Sequence, residues 1–169
     1  AFGVSENGLA FDVALHAGTL IALIMYFWKD LIVYAQALFV KRKETRLSWL
    51  LVTATIPAAV IGFLLESSAE SVFRSGRLVG ITMLTFGLIM ILAEQYYKRR
   101  KDHTELKDIT AKEAMAMGFA QAIAIIPGVS RSGSTITAGL LAGLDRVSAT
   151  RFSFLLGIPI TAGAVLKVF

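Results

Sequence analysis

Long apolar stretches separated by short polar clusters run the length of the chain. The first, over about 9–28, is apolar apart from Asp12 and His16 and closes at Trp28-Lys29-Asp30, where an interfacial aromatic and a charge belong. Residues 31–40 are mostly apolar but too few to cross a bilayer, and predict a helix lying at the interface ahead of Lys41-Arg42-Lys43. A second span over 47–65 holds Pro57 and Gly62, tolerated where neighbouring helices repair the backbone. A third over 78–97 ends in Tyr96-Tyr97-Lys98-Arg99-Arg100-Lys101, the aromatic-plus-basic mark of an interface. Thr110 with Glu113 three residues later has capping-box spacing and predicts a helix over 111–126, stopped by Pro127-Gly128. That helix rises only ~24 Å at about 1.5 Å per residue, short of a comfortable crossing, and a second short apolar piece over 134–144 follows directly. Two half-length helices joined by a Pro/Gly/Ser turn predict a re-entrant or broken pair whose irregular backbone lines a cavity, since lipid cannot satisfy it. A last span over 148–169 carries Arg151 near its start.

These elements make an all-α, polytopic integral membrane protein, a helical bundle in a single transmembrane domain over 1–169. Composition agrees: 56% of the 169 residues are hydrophobic, 17% are charged, and the mean hydropathy is +0.68, well on the apolar side of soluble domains. The net charge of +5 could suggest nucleic acid, but the basic residues sit in short clusters between apolar runs, as the positive-inside rule requires, and nucleic acid is rejected as a partner. Two crossings separate the Lys41–Arg46 loop from the Lys98–Lys112 loop, so both face one side, the cytoplasm. The balanced connector Glu66–Arg77 faces the other. Without cysteine, disulfides and thiolate chemistry are excluded, and with only His16 and His103 no histidine zinc site is expected; no residue is assigned to a metal. The opening Ala1-Phe2-Gly3 lacks an initiating Met and reads as the start of a piece of a longer protein.

The chemistry concentrates in Pro127-Gly128-Val129-Ser130-Arg131-Ser132-Gly133-Ser134-Thr135, an arginine and four hydroxyls inside the most apolar part of the chain. An arginine at the centre of a membrane helix costs roughly 2.5–3.5 kcal/mol on insertion scales, so it normally faces a cavity and a partner. An anion is the natural one. Gly128 and Gly133 let the backbone approach a ligand, the helix starting near Ser134 offers free N–H groups, and the Arg131 fork suits two phosphate oxygens. Ser130, Ser132 and Thr135 can donate hydrogen bonds, and any of them becomes a nucleophile beside a base. No Lys follows the second glycine, which rules out a Walker A loop. The plainer reading is a polar surface loop with Arg131 snorkelling; the shortness of both flanking helices argues against it.

Elsewhere the residues admit two readings. Asp12 and His16 share one helix face and form either a proton relay or an interhelical hydrogen bond. Gln121 lines the cavity or packs, Glu94 snorkels at a basic helix end, and Glu66 with Glu70 belongs to a solvated loop.

The run at 127–135 resembles the second signature of the bacterial undecaprenyl-diphosphate phosphatase, or bacitracin-resistance, family. Gly118-Phe119-Ala120-Gln121, Arg151-Phe152-Ser153-Phe154-Leu155-Leu156 and Phe11-Asp12-Val13-Ala14-Leu15-His16-Ala17-Gly18-Thr19 are similar to it as well, so the resemblance extends over nearly the whole chain. It implies a multi-pass enzyme of the bacterial cytoplasmic (inner) membrane, with re-entrant helices in inverted repeats of which this chain would be about half. It further implies hydrolysis of the lipid diphosphate to the monophosphate, recycling the cell-wall carrier, with magnesium or calcium. Ser130 and Arg131 would bind the diphosphate, with Thr135 in the same signature; these three are the catalytic candidates. Gly128, Ser130, Arg131, Ser132, Gly133, Ser134 and Gln121 are the substrate-binding ones. The expected partners are the polyprenyl diphosphate, the bilayer and, as an open question, a second copy in a homodimer. The family's first signature, glutamates followed by Pro-x-Ser-Ser-x-Gly-His, is absent from 1–169 and expected before residue 1; Glu6 and His16 do not stand in for it. A further helix or helices are expected after Phe169, so this piece alone should not turn over. The competing class is a transporter or flippase that binds a phosphorylated lipid or anion without cleaving it.

Overall fold

The computed structural model describes residues 7–72 and 76–168, with side chains described for 14–65 and 76–166. Among these the regular elements are helical: α1 (Asn7–Phe39), α2 (Thr45–Val72), α3 (Gly76–Arg99), α4 (Ala111–Ile123), α5 (Arg131–Ala142) and α6 (Arg146–Val168), with one 3-10 turn at Leu106–Asp108. Stretches in four of them, α1, α2, α3 and α6, are long and apolar enough to cross a membrane. The chain is a polytopic helical membrane protein, as its hydropathy predicts.

The first departure from the expected pattern is α1. The crossing and the interfacial helix form one continuous element, because no Gly or Pro interrupts 19–39 and Lys29-Asp30 costs a helix little. Asp30 is paired across to α6: Arg151 Nη2 donates to its two oxygens at 2.8 and 2.7 Å. Below that pair, Phe27 packs with Leu155 and Ile158, fastening α1 to α6.

The core lies between α2, α4, α5 and α6, where Ala54, Met117, Leu140, Phe152 and Leu156 meet. Small residues bring the backbones together. A Cβ on Gly118 would stand 2.3 Å from the Ala54 carbonyl oxygen, so α2 and α4 touch where only glycine fits. The capping box that starts α4 forms as expected: the Thr110 side chain accepts from Glu113 N at 3.4 Å while Glu113 Oε2 accepts from Thr110 N at 2.6 Å.

The two short helices form a hairpin rather than a broken crossing. α5 ends at Gly143, whose φ of 113° is glycine's own region, and Leu144 N reaches back to Gly139 O at 2.9 Å. Thr104 N then donates to Gly143 O at 2.8 Å and Asp145 N to Thr104 O at 3.0 Å. The exit of α5 is thereby tied to the segment that leads into α4, so chain entry and exit share one side. Lys43, Glu44 and Arg46 at the start of α2 and His103, Glu105 and Lys107 of the other connector line a single cavity of about 960 Å³ of mixed charge on that side. The two basic loops thus meet at one end of the bundle.

Glu94, expected to snorkel, instead pairs with Arg146 at the start of α6 and with Lys98, tying α3 to the foot of the hairpin. Arg146 also lies over the Tyr97 ring, 5.4 Å from its centroid.

Candidate functional site

The hairpin turn is shaped from its ends inward. After Ile123 the amides of Ala124, Ile125 and Ile126 bond three residues back, so α4 winds down into tight turns short of the expected end at 126. Gly128 follows with φ 89°, and a Cβ there would stand 2.1 Å from Thr82 Oγ1. Thr82 in turn donates to Pro127 O at 2.7 Å, docking the turn on α3.

Ser130 is exposed and caps α5, its Oγ accepting from Gly133 N at 3.1 Å. The helix therefore begins at Arg131, not near Ser134 as expected. The reason lies in the sequence: a serine three residues before a flexible Gly133 is a sound cap, and Ser134 N can close the first turn on Ser130 O at 2.8 Å. The amides of Arg131 and Ser132 are left without an acceptor among the described residues.

Arg131 occupies the first position of α5 and is partly buried. Its Nη1 donates to Thr161 Oγ1 at 2.6 Å and approaches Gly157 O at 3.5 Å, both on α6. No carboxylate lies within 4 Å of it among the described residues. A cation at a helix N-terminus opposes the helix dipole, and α5 has no acidic residue in its first turn to offset it. The result is a concentrated positive site: one guanidinium, two free amides and a partial dipole charge.

The remaining signature residues separate into two groups. Ser130 and Ser132 stay accessible to different degrees at the turn. Ser134 and Thr135 face inward: Ser134 Oγ donates to Ala120 O at 3.1 Å, joining α5 to α4, and Thr135 Oγ1 lies 2.5 Å from Ser153 Oγ of α6. Thr135 is 1% exposed. Its hydroxyl also reaches the carbonyls of Arg131 and Ser132, so the geometry seats it behind the turn instead of in its mouth. Gly133 is buried, and a Cβ on it would meet Met90 Sδ at 2.9 Å. Gln121 is 3% exposed, and neither amide atom has a hydrogen-bond partner among the described residues.

Ser153 and Thr161 were not anticipated. Ser153, Gly157 and Thr161 follow one another at intervals of four along α6, a one-face spacing that is readable in principle. His16 is exposed on α1, which packs against α6 and α2. Glu66 and Glu70, expected in a loop, fall within the last turns of α2, which runs on to Val72; the side chains of Asp12, Glu66 and Glu70 are not among those described.

Among the described residues no group of three His, Asp or Glu could hold a metal ion. Hydroxyls and a guanidinium are a poor donor set for magnesium or calcium, which take carboxylate and carbonyl oxygens. The residues here do not fit a cation site of their own.

Depth follows from helix rise. Thr82 lies 17 residues from Arg99 and Thr161 lies 15 from Arg146, or roughly 26 and 22 Å from the basic side at about 1.5 Å per residue. The turn is therefore far along α3 and α6 from the end of the bundle that carries the basic loops, by a distance comparable to most of a ~30 Å hydrocarbon layer.

A helical hairpin with a cationic turn, packed within a bundle that has four helices long and apolar enough to cross a membrane, defines a multi-pass membrane protein. The chain belongs to the bacitracin resistance protein BacA family, whose family model matches residues 1–169. It is 47% identical over 163 residues to an undecaprenyl-diphosphatase of Moorella thermoacetica, covering 95% of this chain and 61% of that protein. Identity is also 47% over 167 residues to the undecaprenyl-diphosphatase of Desulforudis audaxviator, with coverage of 98% and 63%. That of Geotalea daltonii is 46% identical over 169 residues, with coverage of 95% and 62%. The chain spans about three fifths of the length of these relatives.

Proposed function

We propose that this chain carries the diphosphate-gripping part of an undecaprenyl-diphosphate phosphatase, and that the full-length protein hydrolyses a polyprenyl diphosphate to the monophosphate and inorganic phosphate. That reaction recycles the lipid carrier of cell-wall synthesis and underlies bacitracin resistance. The observation that carries the reading is Arg131 at the first position of α5, a buried-side cation with no carboxylate within 4 Å among the described residues. The names of the relatives supply the substrate class.

In this reading the Arg131 guanidinium and the amides of Arg131 and Ser132 receive the oxygens of the diphosphate, and the Ser130 hydroxyl donates to one of them. Water adds to the terminal phosphorus, the bridging P–O bond breaks, and the lipid monophosphate leaves with that oxygen. Charge builds on the bridging and equatorial oxygens as the bond lengthens, where fixed donors stabilise it most. Magnesium or calcium belongs to the proposal through the family alone, with its ligands outside the described residues, and no step is routed through it. The prenyl chain would lie in the bilayer against the apolar helices. The depth of the turn supports a mouth on the side of the Glu66–Arg77 connector.

The test is release of phosphate by the full-length protein from a polyprenyl diphosphate in detergent, with magnesium or calcium present. Binding without release would overturn hydrolysis and leave a carrier that moves the lipid. In the same assay Arg131→Lys keeps the charge but loses the planar fork, and is expected to lower kcat/KM by about a hundredfold, the loss of roughly 2.7 kcal/mol of transition-state binding. Turnover at the wild-type level would remove Arg131 from the site.

A further inference from the structure

We propose that Thr161 is a positioning residue for this reaction: it holds one arm of Arg131 so that the other edge of the guanidinium meets the diphosphate. The inference rests on the reading of the hairpin turn as the diphosphate site.

Three features of the geometry support it. The first is commitment of the proton. The Thr161 hydroxyl donates to Gly157 O one turn back at 2.7 Å, so its hydrogen is already used. What it offers Arg131 is lone pairs alone, and Arg131 Nη1 takes them at 2.6 Å. The orientation of this hydroxyl is fixed by its own helix, and it cannot turn round to compete as a donor.

The second is which arm is held. With Nη1 on Thr161, the Nε and Nη2 groups have no acceptor among the described residues. Those two N–H groups form the side of the guanidinium that grips two oxygens at once. Gly157 lies against the face of the guanidinium: a Cβ there would be 3.4 Å from Nη2, 3.5 Å from Cζ and 3.7 Å from Nε, ordinary contact for a methyl but no room for a longer side chain.

The third is charge. Thr161 is 1% exposed and neutral. A neutral acceptor satisfies the hydrogen-bonding demand of a sequestered arginine without cancelling its charge. A carboxylate in the same place would have neutralised the arginine and left little attraction for an anion. The anchoring is also rigid at the far end, since α6 is packed at Phe152 and Leu156 into the core.

The experiment uses the full-length protein and phosphate release from a polyprenyl diphosphate. Thr161→Val, which keeps the shape and removes the hydroxyl, is expected to lower kcat/KM by about tenfold or more, the range for a lost hydrogen bond to a charged group. Thr161→Ser, with the hydroxyl restored, should recover most of that loss. In an Arg131→Lys background Thr161→Val should cost little further, because the flexible ammonium has no planar edge to be aimed. A residue that merely packs would give the same loss in both backgrounds. Wild-type turnover of Thr161→Val, or an equal loss in the two backgrounds, overturns the proposal. If Thr161→Val does not fold, Thr161→Ala against Thr161→Ser makes the same comparison, and equal activity of those two overturns it. The underlying reading fails separately, if Arg131→Lys by itself turns over like the wild type.

Discussion

An arginine at the first position of a helix stands in the helix's own positive field, and Arg131 does so beside two open amides. Gln121 presents the complementary anomaly, a side-chain amide enclosed at 3% exposure with no partner among the described residues. An orphaned buried amide costs about 1–3 kcal/mol, a burden kept where function needs the group. Replacing it with a similarly shaped apolar side chain removes the cost, so Gln121→Met is expected to leave thermal stability level or higher. If the amide serves the diphosphate site, the same variant should lower phosphate release by about tenfold in the full-length protein. Stability and turnover measured on the same preparation check this; unchanged turnover would make Gln121 a packing residue. The signature arginine and its cap are legible in sequence because their chemistry is out of place in an apolar run. Thr161 and Ser153 are less so: a threonine or serine in a membrane helix ordinarily bonds its own backbone, and only the packing of α5 on α6 shows that these two also meet Arg131 and Thr135.

For the elements, the hairpin depends on close backbone approach at its two sides. Gly118 meets the Ala54 carbonyl of α2, and Gly128 meets Thr82 and Val79 of α3. Neither neighbour is the free end of a side chain at the Gly118 contact, so Gly118→Ala must push α4 from α2. The expected cost is about 1–3 kcal/mol, the range for overpacking, read as a lower unfolding temperature in detergent. A stability equal to wild type would mean that the two helices slide apart freely. Element existence follows from hydropathy throughout, while the boundaries do not. A charged pair such as Lys29-Asp30 reads as the end of a helix, whereas here Asp30 pairs with Arg151 at the accessible edge of α6 and α1 runs on to Phe39. The start of α5 is displaced for a similar reason. Ser130 works as a cap, which makes Arg131 helical, whereas polar residues in a row read as loop.

Taken whole, the molecule has a charged end and a charged turn at different depths. Lys43, Arg46 and Lys107, interleaved with Glu44, Glu105 and Asp145, line one cavity at the end where the basic loops meet, and the hairpin entering from that end carries Arg131 roughly 22 Å along α6 before turning back. The positive-inside rule assigns the basic loops to the cytoplasm, so the turn and its exposed Ser130 fall nearer the opposite surface. On the function proposed above, a diphosphate in the outer leaflet reaches Arg131 without its charge crossing the hydrocarbon layer, the costliest step available to it. Because this chain has no cysteine, single replacements in a cysteine-free full-length background report sidedness directly. Ser130→Cys is expected to react with a membrane-impermeant maleimide in intact cells, whereas Arg46→Cys and Lys107→Cys should react only after the membrane is opened. The reverse pattern would invert the orientation and turn Arg131 toward the cytoplasm, and labelling of all three from outside would dismiss the hairpin as a re-entrant element.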